Sequence, residues 1–149
     1  MNTIQQYDDK AELRQLIADW SAAVSARDLD GTMAAYTPDT VLFDAMPPAR
    51  TVGAEAIRNS WQQALPHFPD VFRSEHHDLT IEVDGDLAFV FGLHRFVPEP
   101  PDHCCGASWL RVTICFRRTD SRWQVVHEHV SVPFDPETGQ AVFIPTRGE

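Results

Sequence analysis

The 149-residue chain, 43% apolar and 23% charged, has the size and composition of one globular domain that buries about 70% of its unfolded surface. Its formal net charge of −10, from 22 acidic against 12 basic side chains, argues against nucleic acid or an anionic membrane surface as a partner, since both need a basic face. No apolar run approaches the ~20 residues that span a bilayer.

Met1 to Asp9 carries neither the basic region nor the apolar core of a signal peptide. Three cysteines, two of them adjacent at Cys104 and Cys105, form no disulfide framework. The expectation is one cytoplasmic domain over residues 1–149, with its core at about 9–134 and a tail at 135–149.

Asp9-Lys-Ala-Glu12 reads as a capping box. Leu13, Leu16, Ile17, Trp20 and Val24 then recur at helical spacing to about Arg27. Asp28 can cap a short second helix that turns Leu29, Met33 and Tyr36 inward. Thr40 to Asp44 is a short strand, ended by Met46-Pro47-Pro48 because proline cannot continue the pairing. Gly53 opens a third helix, Ala54 to Ala64, with Ile57, Trp61, Ala64 and Leu65 on one stripe.

From about Ser74 the period changes to two. Strands are predicted at 76–83, 87–97, 108–118 and 122–132, with tight turns at Asp84-Gly85-Asp86 and Thr119-Asp120-Ser121. Helices followed by a strand meander predict an α+β fold, with helices on one side of an antiparallel sheet.

Strict alternation in the last strand puts Val125, His127, His129 and Ser131 on one face, and Val126, Glu128, Val130 and Val132 on the other. Two histidines two apart on a strand suit acid–base work, ligand contact or metal ligation. A metal would need a third ligand, and only Asp44 or His94 offers one. Glu128 is expected to pair across strands with Arg111, on a face away from the histidines. Cys104 and Cys105, beside His103, lack the spacer of zinc sites and read as loop thiols without function.

Arg27-Asp-Leu-Asp30, Tyr36-Thr-Pro-Asp39, Val41-Leu-Phe-Asp44, Val52 to Arg58 and Trp123 to His129 follow one another in an order and spacing that resembles the nuclear transport factor 2-like superfamily. Within it, the likeness is to SnoaL-like and ketosteroid isomerase-like proteins, over about 13–134. The resemblance implies a cone: a curved, mixed or antiparallel sheet wrapped against three N-terminal helices, with an apolar pocket. It also implies a homodimer through the outer sheet face.

Ketosteroid isomerase uses an aspartate base with a tyrosine and a protonated aspartate as oxyanion hole. By resemblance, the base position falls on Asp44, nine residues before Gly53. The oxyanion tyrosine falls on Trp20, and its partner near Val112 or Ile114, which cannot donate. Two further pocket tyrosines fall on Tyr36 and Trp61. The resemblance also turns the His127–His129 face into the cone.

The expectation is a small-molecule enzyme without cofactor or metal, and not a true steroid isomerase. It would act by general acid–base proton transfer on a small apolar or carbonyl-containing molecule. Asp44, His127 and His129 are the candidate catalytic residues, and Trp20, Tyr36, Trp61 and Ser131 the candidate substrate-binding residues. One alternative is a non-catalytic ligand-binding or dimerisation module, which would show no pH-dependent limb. Another is a metal-dependent enzyme using His127 and His129.

Overall fold

The computed structural model describes residues 2–146. The chain runs α1 (Thr3–Ser25), α2 (Leu29–Thr32), β1 (Tyr36–Phe43), β2 (Thr51–Val52), α3 (Ala54–Ala64), β3 (Val71–Asp84), β4 (Leu87–Glu99), β5 (Leu110–Thr119) and β6 (Arg122–Ser131). The fold is α+β, as expected. Its six strands form one sheet in the order β2-β1-β6-β5-β4-β3. It is mixed, because β1 pairs parallel with β6 while the other neighbours pair antiparallel.

α1 begins earlier than the Asp9 box predicts. Asn2 is the cap, its side chain accepting from the Ile4 N–H at 3.1 Å. Asp9 instead lies inside the helix, 1% exposed. It is held by Arg118, whose Nη1 donates to Oδ1 at 2.6 Å. A carboxylate that sequence reading assigns to a helix end is therefore half of an ion pair tying α1 to β5. α2 stops at Thr32, and Tyr36 opens β1 rather than closing the helix.

Leu13 and Ile17 of α1 pack on the inner sheet face against Val90, Ile114, Phe116 and Val125. Val24 extends this contact to Leu65 and Phe72. Ile57 of α3 packs with Met33 and Leu42. The sheet bends at three irregularities: at Asp78 in β3, where φ is 55° and the pairing with β4 shifts, between Val125 and His127 in β6, and between Tyr36 and Val41 in β1. Gly92 lies opposite the first. A Cβ there would stand 2.8 Å from the His77 carbonyl oxygen and 2.9 Å from Leu79 Cδ2, so the bend needs glycine. The tail folds back through a bridge from Ile144 to Trp109; residues 147–149 of it lie outside the described residues. Among the described residues, no helix is long and apolar enough to cross a membrane.

Candidate functional site

The second bend decides which side chains of β6 reach the interior. Val125 is opposite Phe116 of β5, and the next paired residue, His127, is opposite Cys115. Val126 is the extra residue of a β-bulge, and one extra residue exchanges the two faces beyond it. Trp123 and Val125 point inward before the bulge; Glu128, opposite the buried Ile114, points inward after it.

The predicted faces are thereby reversed at the histidines. His127 lies on the outer face, with its ring 4.6 Å from that of the exposed Phe43. Its Nδ1 is 2.7 Å from the Val41 carbonyl oxygen, so Nδ1 carries the proton and donates. His129 is exposed, 5.5 Å from the same Phe43 ring. Ser131 accepts from Arg111 Nε at 3.2 Å, also outside. The expected Arg111–Glu128 pair is corrected by the same bulge, which leaves the two on opposite faces. His94 is buried on the inner face, so it cannot complete a metal set with His127 and His129. Among the described residues, no three potential metal ligands converge.

Under α1 and α2 lies a cavity of about 310 Å³, in the range of small-molecule sites. Leu16, Ile17, Val112, Ile114, Phe116 and Val125 make much of its wall. Into this apolar space project Glu128, Tyr36, Trp20, His76 and His94. Tyr36 Oη donates to Glu128 Oε2 at 2.9 Å and reaches Oε1 at 3.2 Å.

Burial, the larger effect, and then the charge of Asp44 push the Glu128 carboxyl up from 4.5 to about 7, although the Tyr36 hydrogen bond opposes them. Burial and the adjacent Glu128 charge raise Tyr36 well above its usual value of 10.0. The proton of this pair therefore stays on the phenol while the carboxyl titrates near neutrality.

Trp20 also lines the cavity; its buried Nε1–H makes no hydrogen bond of ordinary length, and its weaker interaction with the Tyr36 hydroxyl partly offsets the rise in the Tyr36 pKa. Trp61 packs edge-on behind it, with ring centroids 6.0 Å apart, and supports the wall without lining it. Asp44 follows β1 at an open position and accepts from the Ala45 N–H at 2.7 Å. Partial burial of its carboxyl raises its pKa. Of the seven predicted site residues, Trp20 and Tyr36 line the cavity, and Asp44 acts on it through charge. Trp61 stands behind the wall, while His127, His129 and Ser131 lie outside.

Sequence reading missed Glu128, His76 and the serines that hold the inner histidines. An acidic residue set among valines in a strand was the available signal for Glu128. It pointed outward only because alternation was counted without the bulge.

A family model for the SnoaL-like domain matches residues 13–135. The fold is shared with an NTF2-like protein of unknown function from Pseudomonas putida, 36% identical, covering 96% of each chain with a TM-score of 0.84. It is also shared with a candidate dehydratase of the NTF2-like family from Streptomyces avermitilis, 16% identical over 86% of this chain and 98% of that one, TM-score 0.72. A candidate aromatic ring hydroxylase from Novosphingobium aromaticivorans is 16% identical over 84% of this chain and 89% of that one, TM-score 0.67. Among curated proteins, none matches.

Proposed function

The chain belongs to the SnoaL-like family of the NTF2-like superfamily, and from that premise we propose that its cavity is an active site for general acid–base proton transfer, with Glu128 as proton acceptor. The observation that carries this reading is a buried carboxyl, raised to about 7 and oriented by Tyr36, in a largely apolar cavity. A base works best when its pKa lies near the working pH. Desolvation supplies that match here and leaves the carboxylate poorly solvated and reactive.

Tyr36 fixes the carboxylate through its two oxygens. The Trp20 Nε1–H, which makes no short hydrogen bond and lies near the Tyr36 hydroxyl, can donate to a substrate oxygen on which negative charge develops. Asp44 contributes by raising Glu128 through its charge. The substrate is a small, largely apolar molecule with an acidic C–H or O–H, often beside a carbonyl. Isomerisation and dehydration both begin with such a step. The unpaired thiols of Cys104, Cys105 and Cys115 suit a reducing compartment such as the cytoplasm.

The test uses a benzisoxazole, whose ring opens when a base removes one proton. Wild-type protein should accelerate this opening. Glu128→Gln, with its circular dichroism spectrum unchanged, should lose at least about 100-fold, the lower bound for a positioned base. Equal rates in the two proteins would refute the assignment.

A further inference from the structure

Where α1 crosses β3 and β4, four side chains form a continuous hydrogen-bonded chain. His94 Nε2 lies 2.7 Å from Ser74 Oγ, Ser74 Oγ lies 3.1 Å from Ser21 Oγ, and Ser21 Oγ lies 2.9 Å from His76 Nδ1. Ser25 frames it from outside, donating to the Ser21 carbonyl at 2.7 Å and accepting from the Ser74 N–H at 2.9 Å.

Three bonds need three protons, and the hydroxyls of Ser21 and Ser74 supply two. One imidazole must therefore carry a proton on the nitrogen facing its serine, and the other must be bare there. A neutral imidazole has one N–H and one bare nitrogen, so the two remaining nitrogens are complementary as well. When His76 Nε2 is bare, His94 Nδ1 is protonated; when the chain reverses, so do both. In either state the pair offers one donor and one acceptor.

Both rings line the cavity, with centroids 4.7 Å apart. Neither free nitrogen is hydrogen-bonded by a described residue. Burial first, then the neighbouring His77, holds His76 down to about 4; burial, then His76, holds His94 down to about 3. Both rings are therefore neutral at neutral pH. Trp20 packs edge-on against both, with ring centroids 5.6 and 5.7 Å away.

We propose that the His76–Ser21–Ser74–His94 chain is an uncharged subsite that binds a neutral hydroxyl or carbonyl group of the ligand. A hydroxyl uses both the donor and the acceptor. A carbonyl uses the donor in whichever state presents it. A carboxylate at the histidine end meets two neutral rings and a repelling bare nitrogen, so its burial there is uncompensated. The inference rests on the cavity being a ligand site and deepens that reading: the substrate carries its acidic centre near Glu128 and an uncharged oxygen at the histidine end.

The experiment records proton–nitrogen correlation spectra of histidine-labelled protein during titration with cyclohexanol, cyclohexanone and cyclohexanecarboxylate. In the free protein at neutral pH, each of the two rings should show one protonated and one bare nitrogen. The alcohol and the ketone should shift both rings, and the carboxylate neither. Ser21→Ala, which cuts the chain, should weaken cyclohexanol binding by up to about tenfold, the worth of one hydrogen bond. His76→Phe, which keeps a ring but no nitrogen, should weaken it comparably. A doubly protonated ring at neutral pH, carboxylate binding as tight as alcohol binding, or unchanged binding in both variants would overturn the proposal. Its failure would leave the Glu128→Gln rate loss in place, and failure of the proton-transfer reading would leave these ring shifts in place.

Discussion

In the proposed proton transfer, Glu128 couples catalysis to stability through one quantity. Its carboxyl is raised from 4.5 to about 7 on folding, so between those values the folded chain binds more protons than the unfolded chain. Stability from this group therefore falls as pH rises through that window, and the loss is complete above it. Glu128→Gln lacks the penalty. It should be more stable than wild type by up to about 3 kcal/mol near pH 8, with the difference vanishing towards pH 4. Urea unfolding at several pH values measures it. His76 and His94 run the other way: their folded values of about 4 and 3 lie below the usual 6.5. Their stabilising effect is full above 6.5 and fades as pH falls, and it cancels in the wild-type against Gln comparison. Tyr36→Phe removes a hydrogen bond that favours the ionised carboxyl. The midpoint of Glu128 titration should then move above 7, readable as an upward shift of the pH–rate limb; a midpoint that stays put would show that Tyr36 does not hold the carboxylate.

At the scale of elements, the ion pair between α1 and β5 is the sharpest case. Arg118 donates to Asp9 at 2.6 Å and to Asp86 at 3.1 Å, and its guanidinium lies 4.5 Å from the Trp123 ring centre. Asp9→Ala removes a charge-assisted hydrogen bond from Arg118, which keeps Asp86 and the Gly85 carbonyl, and should cost about 1.5–3 kcal/mol in denaturant unfolding. A cost within about 0.5 kcal/mol, typical of surface changes, would contradict the burial of this pair. Asp9 also shows where sequence reading stops. Residues 13 to 24 announce a helix by their period, the two tight turns announce two hairpins, and Gly53 announces α3. Asp9 offers a helix-cap pattern locally, and only the distant Arg118 makes it an interior residue. The bulge at Val126 is equally silent, because an extra residue in a run of valines changes no composition and breaks no propensity. It reverses the faces of His127 and Glu128 all the same. The helices and the strand meander were legible because local periodicity sets them; the parallel pairing of β1 with β6 was not. The site was legible only in Trp20 and Tyr36, because a register shift of one residue decides the rest.

The whole molecule presents two faces of different character. The inner face holds the cavity, and the outer face exposes Phe89 at 46% and Phe91 at 45%, with their rings 6.2 Å apart. Exposed aromatics of this kind on one sheet face suit burial against a second copy, and we propose a homodimer through it. Sedimentation should find a dimer in the wild type and a monomer in Phe91→Glu; a monomeric wild type would contradict this. The proposed catalysis belongs to the opposite face, where the enclosing fold and the bulge together hold one carboxyl in apolar surroundings. The pH dependence of kcat/KM for benzisoxazole opening, which reports the free protein, tests that most directly. The rate should rise with pH to a plateau with a midpoint near 7, as Glu128 ionises, with no such limb in Glu128→Gln. A midpoint near 4.5, or the same limb in both proteins, would contradict it.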